Sequence, residues 1–208
     1  LKKKLVKYSS ILKLKIDFII ISPGIDINKC NLSRFLKKNR KKIYSDLDVF
    51  YEFYKNDCIT ITGTNGKSTT CQILYEVLLN HKYDVRLIGN IGNPVLSVKD
   101  ISSNTIFVIE ASSYQLEYSK IFKSKFAAIL NLYPDHIERH KTFKKYINAK
   151  FKLLKKQSKG HFAFVKKEDQ SINKELKSNK LLSKIIKVNT KKLNRFIKNI
   201  NNQYFLSK

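Results

Sequence analysis

Seven consecutive residues, Gly63-Thr64-Asn65-Gly66-Lys67-Ser68-Thr69, bring together types suited to holding phosphate. Glycines let backbone come close to an anion, and successive N–H groups at the start of a helix supply positive potential. Lys67 is placed to pair with β/γ-phosphates, and Ser68 or Thr69 could offer a hydroxyl to Mg²⁺. The strict GxxxxGK[ST] pattern is not met, because its first glycine would fall on Ile61. A glycine-rich strand-to-helix turn capped by Ser68 is the plainer alternative. Three more polar groups follow short apolar runs: Asn90 after VRLI (85–88), Glu110 after TIFVI (105–109) and Asp135-His136 after FAAIL (126–130). A carboxylate at such a place can hold a hard cation or orient water, or it can simply be a solvated acid. His136 alone reads as a ligand or as an ordinary loop histidine. Lys150, on a basic stretch, cannot be told from a solvated lysine by its neighbours.

These groups need a scaffold. CITIT (58–62) precedes the glycine loop, and a helix to about Asn80 is expected after it, with Ile73, Leu74, Val77 and Leu78 on its inner face. Strands are expected at 16–21, 85–88, 105–109, 126–130 and 161–165, and a helix over 142–156. Alternating strands and helices indicate an α/β fold with a mainly parallel sheet spanning residues 55 to about 165. Ligands of such sheets bind beyond the carboxyl ends of the strands, so the polar strand ends should share one rim. Past Lys166 the chain is Lys/Asn-rich and shows no readable period.

Composition removes other classes. The chain has 208 residues, 42 Lys+Arg against 16 Asp+Glu, a net charge of +26, and 42% hydrophobic residues, so it can bury a core. Only five basic residues are Arg, leaving 42 − 5 = 37 Lys. Scattered Lys reads as solvated surface, and nucleic acid is not expected as a partner. Cys30, Cys58 and Cys71 form no CxxC pair, which suits a reducing cytoplasm. No transmembrane segment or signal peptide stands out. With no Met and Leu1 first, the chain is expected to be a piece of a longer protein.

Five segments together resemble the Mur ligase family: IIISPGI (19–25), ITGTNGKSTT (61–70), GNIGNP (89–94), VIEASSYQLE (108–117) and ILNLYPDHIERH with YINAK (129–150). GTNGK is shared with folylpolyglutamate synthetases; the Ser-Thr after it, the ASSYQLE segment and SPG point to the D-glutamate-adding branch. The resemblance implies a P-loop ATPase-like central domain at 55–208, incomplete, preceded at 1–54 by the tail of a Rossmann-like, UDP-substrate-binding N-terminal domain. The amino-acid-binding C-terminal domain would be absent. It implies ATP and Mg²⁺ as cofactors, with Gly63 to Thr69 on ATP, Lys67 on the phosphates and Ser68 on Mg²⁺. Glu110 and His136 match ligands of a second metal, and Lys150 matches a lysine that is carbamylated near it. Asn90, Ser112 and Gln115 match positions that contact the UDP-muramoyl substrate. The implied reaction joins UDP-N-acetylmuramoyl-L-alanine to D-glutamate through an acyl phosphate, in a cytoplasmic monomer without membrane insertion. The piece alone is expected to be inactive. Ala111 and Tyr114 depart from the family's usual Leu and Phe. Another Mur ligase, a folylpolyglutamate synthetase or a non-catalytic nucleotide-binding remnant are the alternatives.

Overall fold

A computed structural model describes residues 7–13, 15–189, 197–200 and 203–206, the last two ranges as backbone only. The chain begins with α1 (Tyr8–Ile11), β1 (Ile19–Ile20), α2 (Ser33–Lys38), a 3₁₀ turn at Arg40–Lys42, β2 (Ile43–Tyr44) and α3 (Asp46–Phe53). β1 and β2 pair in parallel, Ile19 opposite Ile43. The strand expected over 16–21 is thus only two residues long, because its partner offers only two. α3 starts at a capping box: Ser45 and Asp48 hydrogen-bond back onto each other's backbone.

From there strand and helix alternate: β3 (Cys58–Thr62), α4 (Lys67–Asn80), β4 (Val85–Gly89), β5 (Ile106–Glu110), α5 (Ser113–Tyr118), β6 (Phe126–Ile129), α6 (Ile137–His140), α7 (Phe143–Lys155), β7 (Phe162–Lys166), α8 (Gln170–Ser178) and β8 (Lys184–Val188). A separate antiparallel pair follows, β9 (Ile197–Ile200) with β10 (Gln203–Leu206). Six strands form one sheet in the order β4-β5-β3-β6-β7-β8, every neighbouring pair parallel. Parallel strands are covered on both faces, which is why β5 reads as an unbroken apolar run, Ile106-Phe107-Val108-Ile109. The chain leaves β3 for the β4 edge, returns through β5, and crosses β3 to reach β6. The order reverses around β3, the switch point at which parallel sheets open a crevice beyond the strand ends.

Each face has its own core. On one, Leu47 and Phe50 of α3, Phe107, Ile109, Leu116, Phe122, Ile129, Tyr146, Phe151 and Leu154 are buried together. On the other, Ile61, Cys71, Val85 and Val108 form the center, with Leu74, Tyr75 and Leu78 against them. The inner stripe of α4 is therefore 71, 74, 75 and 78, an i, i+3, i+4, i+7 set, while Ile73 and Val77 are 56% and 47% exposed. That corrects the expected face: four adjacent apolar residues fit two helical stripes, and contact with the sheet selects one. The sheet also runs past residue 165, through α8 and β8, whose apolar content is too thin to show in sequence.

Candidate active site

The loop between β3 and α4 is shaped by two glycines. Gly66, φ +80°, is the left-handed residue preceding α4. Gly63 has φ +151°, and a Cβ there would stand 3.1 Å from Leu130 Cβ and 3.3 Å from the Asn131 amide nitrogen. Because Gly66 occupies the cap position, the Ser68 hydroxyl is not the helix cap; it donates to Glu110 Oε2 at 2.7 Å. Thr69 is exposed beside it. Asn131, the residue after Leu130 at the end of β6, staples the loop. Its Oδ1 accepts from the Asn65 and Thr64 amides at 2.9 and 3.2 Å, and its Nδ2 donates to Asn65 O at 3.0 Å. Lys67 Nζ lies back over the loop and donates to Thr64 O at 2.8 Å.

Glu110 is the last residue of β5 and 1% exposed. Its two carboxylate oxygens are divided: Oε2 takes the Ser68 hydroxyl, and Oε1 takes Asn90 Nδ2 at 2.9 Å. The Asn90 amide also donates to Glu110 O at 3.0 Å. This close pass requires Gly89, φ +111°, where a Cβ would stand 2.3 Å from that same carbonyl oxygen. So three separate strand ends, after β3, β4 and β5, meet on one carboxylate, as the shared-rim reading requires.

Lys150 comes to the same place from α7. It is 2% exposed, and its Nζ donates to Gly63 O at 2.8 Å and Thr62 Oγ1 at 3.3 Å. Burial, and then the like charge of Lys67, push its pKa down to about 7, against the pull of Asp135 and Glu110. Its ammonium stands 4.8 Å from the Tyr146 ring center. Tyr146 joins it to the loop: the hydroxyl is 3.0 Å from Thr64 Oγ1, and burial raises that phenol to about 12. His136 reaches the group through the same ring, with centroids 6.4 Å apart, and stands 5.0 Å from Tyr114. It precedes α6 at φ +51° and is exposed, with Nε2 3.4 Å from Asp135 Oδ2.

Ser112 and Gln115 are engaged elsewhere. They form the capping box of α5, and Gln115 Nε2 donates to Asp46 Oδ2 at 2.8 Å, which leaves Gln115 4% exposed. Asn131, Tyr146 and His140 were not singled out in the sequence. Asn131 carried a readable sign, since it is the first polar residue after the apolar run of β6 and Leu130. Tyr146 and His140 carried none, because an aromatic on a helix reads as core. Among the described residues no three His, Cys, Asp or Glu side chains converge as a metal cluster, and no helix is long and apolar enough to cross a membrane.

Residues 61–207 match the Mur ligase middle domain family. The chain is 39% identical over 170 residues to the UDP-N-acetylmuramoylalanine–D-glutamate ligase of Elusimicrobium minutum, covering 77% of this chain and 37% of that protein. It is 36% identical over 165 residues to the ligase of the same name from Rickettsia bellii, covering 79% and 36%. The chain thus spans little more than a third of the length of these curated relatives. The fold is shared with UDP-N-acetylmuramate:L-alanyl-γ-D-glutamyl-meso-diaminopimelate ligase from Neisseria meningitides: TM-score 0.58, 17% identity, 86% of this chain and 60% of that one. It is also shared with MurF ligase from Thermotoga maritima in complex with ADP: TM-score 0.54, 20% identity, 74% and 43%. A glycine loop held by Asn131, with a buried carboxylate and a buried lysine around it, is the local form of that shared fold, and the chain belongs to the Mur ligase family through its middle domain.

Proposed function

We propose that residues 61–207 form the ATP-binding and phosphoryl-transfer part of an ATP-dependent amide ligase. In a protein of the relatives' length, it would join D-glutamate to UDP-N-acetylmuramoyl-L-alanine. The observation that carries this reading is Lys150: alone among the described lysines it is buried, to 2% exposure, with its amine on the phosphate-loop backbone. A structural lysine would keep its ammonium in water. The relatives' printed names supply the substrates.

Lys67, released from Thr64 O, would reach the β/γ-phosphates, and the free N–H groups at the start of α4 would face the same anion. The substrate carboxylate attacks the γ-phosphorus; the new O–P bond forms as the bond to the β-phosphate oxygen breaks and ADP leaves. The D-glutamate amine then attacks the acyl carbon; the C–N bond forms as the C–O bond to phosphate breaks, phosphate departs and the nitrogen gives a proton to solvent. The hydroxyl of Ser68 and the carboxylate of Glu110 are hard oxygen donors within 2.7 Å of each other, a fit for Mg²⁺. Bound there, Mg²⁺ would neutralise charge on the transferring phosphoryl group. Asn90 holds Glu110 in that orientation. Glu110 and His136, with Lys150 once it is a carbamate, would serve a second cation. For that step the neutral amine attacks CO₂, an N–C bond forms, one C=O pair moves onto oxygen, and nitrogen gives a proton to solvent. An amine with a pKa near 7 presents the neutral form at neutral pH.

Calorimetric titration of Mg-ATP into the chain tests the first part. Lys67→Ala should lose at least about tenfold in affinity, since a charge-assisted contact contributes roughly 1.5–3 kcal/mol. Equal affinity would refute the assignment. The second part is read by ¹³C NMR with labelled bicarbonate: a carbamate resonance should be present and should vanish in Lys150→Ala but persist in Lys155→Ala.

A further inference from the structure

Lysine is scattered over most of this chain, but it gathers in one place. Five of the six residues from Lys37 to Lys42 are Lys or Arg, against 42 basic residues in 208 for the whole chain. From Ile27 to Ser45 there are seven basic residues and no acidic one. Lys37 and Lys38 close α2, where cations suit the helix dipole, and that accounts for those two. It does not account for Arg40, Lys41 and Lys42, which form the 3₁₀ turn. All five side chains are exposed. Residues 37–42 and Lys120 line an open hollow of about 680 Å³ that has no carboxylate in its wall.

An apolar surface adjoins this basic one. Lys120 Nζ donates to Lys41 O and stands 4.3 Å from the Tyr44 ring center. Tyr44, with Ile121 next to Lys120, leads into a second hollow, of about 360 Å³. Phe18, Ile20, Phe53 and Ile121 line it at 66%, 44%, 76% and 39% exposure. Lys42 Nζ donates to Ile16 O and so ties the basic turn to the segment that carries Phe18. Three acids border the apolar hollow. Asp48 is occupied by backbone amides and Glu52 stands 3.8 Å from Lys55, which leaves Asp17. None of Lys67, Ser68, Glu110, His136 or Lys150 lines either hollow, so this surface is separate from the phosphate loop.

Two exposed phenylalanines side by side with a basic run mark a contact surface, and the cations select what covers it. A second copy of this chain would bring another net charge of +26 against the first. A nucleic acid would take up the cations and leave the apolar hollow in water. A bilayer with acidic headgroups satisfies both halves, with the cations among the headgroups and the apolar side chains at the acyl boundary. Lysine, a point charge on a flexible stem, also suits a fluid headgroup layer better than a fixed array of acceptors.

We propose that this surface docks the protein peripherally on an anionic lipid bilayer, with residues 37–42 and Lys120 on acidic headgroups and Phe18, Ile20 and Phe53 dipping below them. The test is cosedimentation of the full chain with unilamellar vesicles at physiological salt. Binding is expected to phosphatidylcholine vesicles containing about one third phosphatidylglycerol and not to phosphatidylcholine alone. Lys37→Gln, Lys38→Gln and Lys41→Gln together should weaken it at least tenfold. Lys155→Gln, Lys159→Gln and Lys177→Gln together, an equal change of charge elsewhere, should leave it unchanged. The chain has no Trp, so Phe53→Trp supplies a single reporter, whose emission should shift to the blue on the acidic vesicles and stay in place with poly(U). Absence of binding to the acidic vesicles would overturn the proposal, and so would an equal loss in the two triple variants, which would mean general attraction to a basic chain. An emission that stays in place on vesicles, or shifts with poly(U), would take the apolar hollow away from the bilayer. A dimer in vesicle-free buffer that Phe18→Ser with Phe53→Ser dissolves would give the surface to a second copy. Lys67 and its loop are intact in every variant, so failure here leaves the ATP-site reading untouched.

Discussion

His140 shows how a single side chain in this site is held and what that implies for pH. It is 4% exposed, its Nε2 is 3.0 Å from Ser113 Oγ, and its ring packs against Tyr114 and edge-on to Tyr146. Burial first, then the neighbouring Arg139, push its pKa from 6.5 down to about 4. The imidazole is therefore neutral in the folded protein at pH 5–6, where an unfolded chain would already hold the proton. The unfolded state binds more protons between these two values, so stability is complete above about 6.5 and is lost as pH falls toward 4. The slope is about 1.4 kcal/mol per pH unit for one proton. Urea denaturation at pH 4.5 and 7 should show this loss in the wild type and a smaller one in His140→Gln. Equal losses would mean that other groups control acid unfolding. Of the residues legible in sequence, Glu110 and Asn90 announce themselves by polarity at a strand end, and Lys67 by the glycine loop that precedes it. His140 does not, because its role arises only when α5 and α7 pack around it.

Strand ends explain why so much of this site could be read at the level of elements. A strand buried on both faces must be apolar throughout, so the first polar residue after it marks the rim. β5 and β6 obey this, whereas β3 carries Thr60 and Thr62 and β4 carries Arg86, so their rim ends are marked by the glycine-containing turns that follow. β8 and α8 were not legible, since α8 offers only Ile172 as a fully buried hydrophobic residue and β8 sits at the sheet edge with lysines in it. The stripe on α4 was misread because sequence fixes the period of a helix but not its rotation. The turns at Gly66 and Gly89 make a sharper test of elements than either. At Gly66 an added Cβ meets only Leu130 Cδ1, at 3.7 Å, so Gly66→Ala should cost mainly the left-handed backbone. That is about 1–2 kcal/mol. At Gly89 the Cβ would be 2.3 Å from Glu110 O, a backbone atom that cannot rotate away. Gly89→Ala should cost on the order of 4 kcal/mol or more, and it should displace Glu110 from Ser68 and Asn90. Thermal unfolding of the two variants compares them directly. A milder loss at Gly89 than at Gly66 would show that β4 and β5 can slide apart without harm.

The molecule as a whole depends on how the segment before β3 is attached. Leu47 and Phe50 of α3 are 0% exposed and belong to the same core as Phe107, Ile109 and Phe122. Asp48, next to Leu47, is 2% exposed, and its carboxylate accepts from the amides of Lys120, Ile121 and Phe122 and from the Ser119 hydroxyl. A loop that would otherwise leave buried N–H groups unpaired is thus closed by a side chain 71 to 74 residues earlier in the sequence. Gln115 to Asp46 and Arg139 to Ile25 are further ties of the same kind. Asp48→Ala removes the acceptor and keeps the donors, each of which costs about 1–3 kcal/mol when left without a partner. The expected loss is on the order of 3–5 kcal/mol, within the range that unfolds a marginal domain. A chain cut before Asp57 goes further, because it also uncovers the surface that Leu47 and Phe50 bury, roughly 1.5–3 kcal/mol for each side chain. Such a chain should melt well below the full one or aggregate, and adding a peptide of residues 43–56 should restore part of the lost stability. If residues 57–208 melt at the same temperature as 1–208, α3 is an accessory to the sheet and the core closes without it.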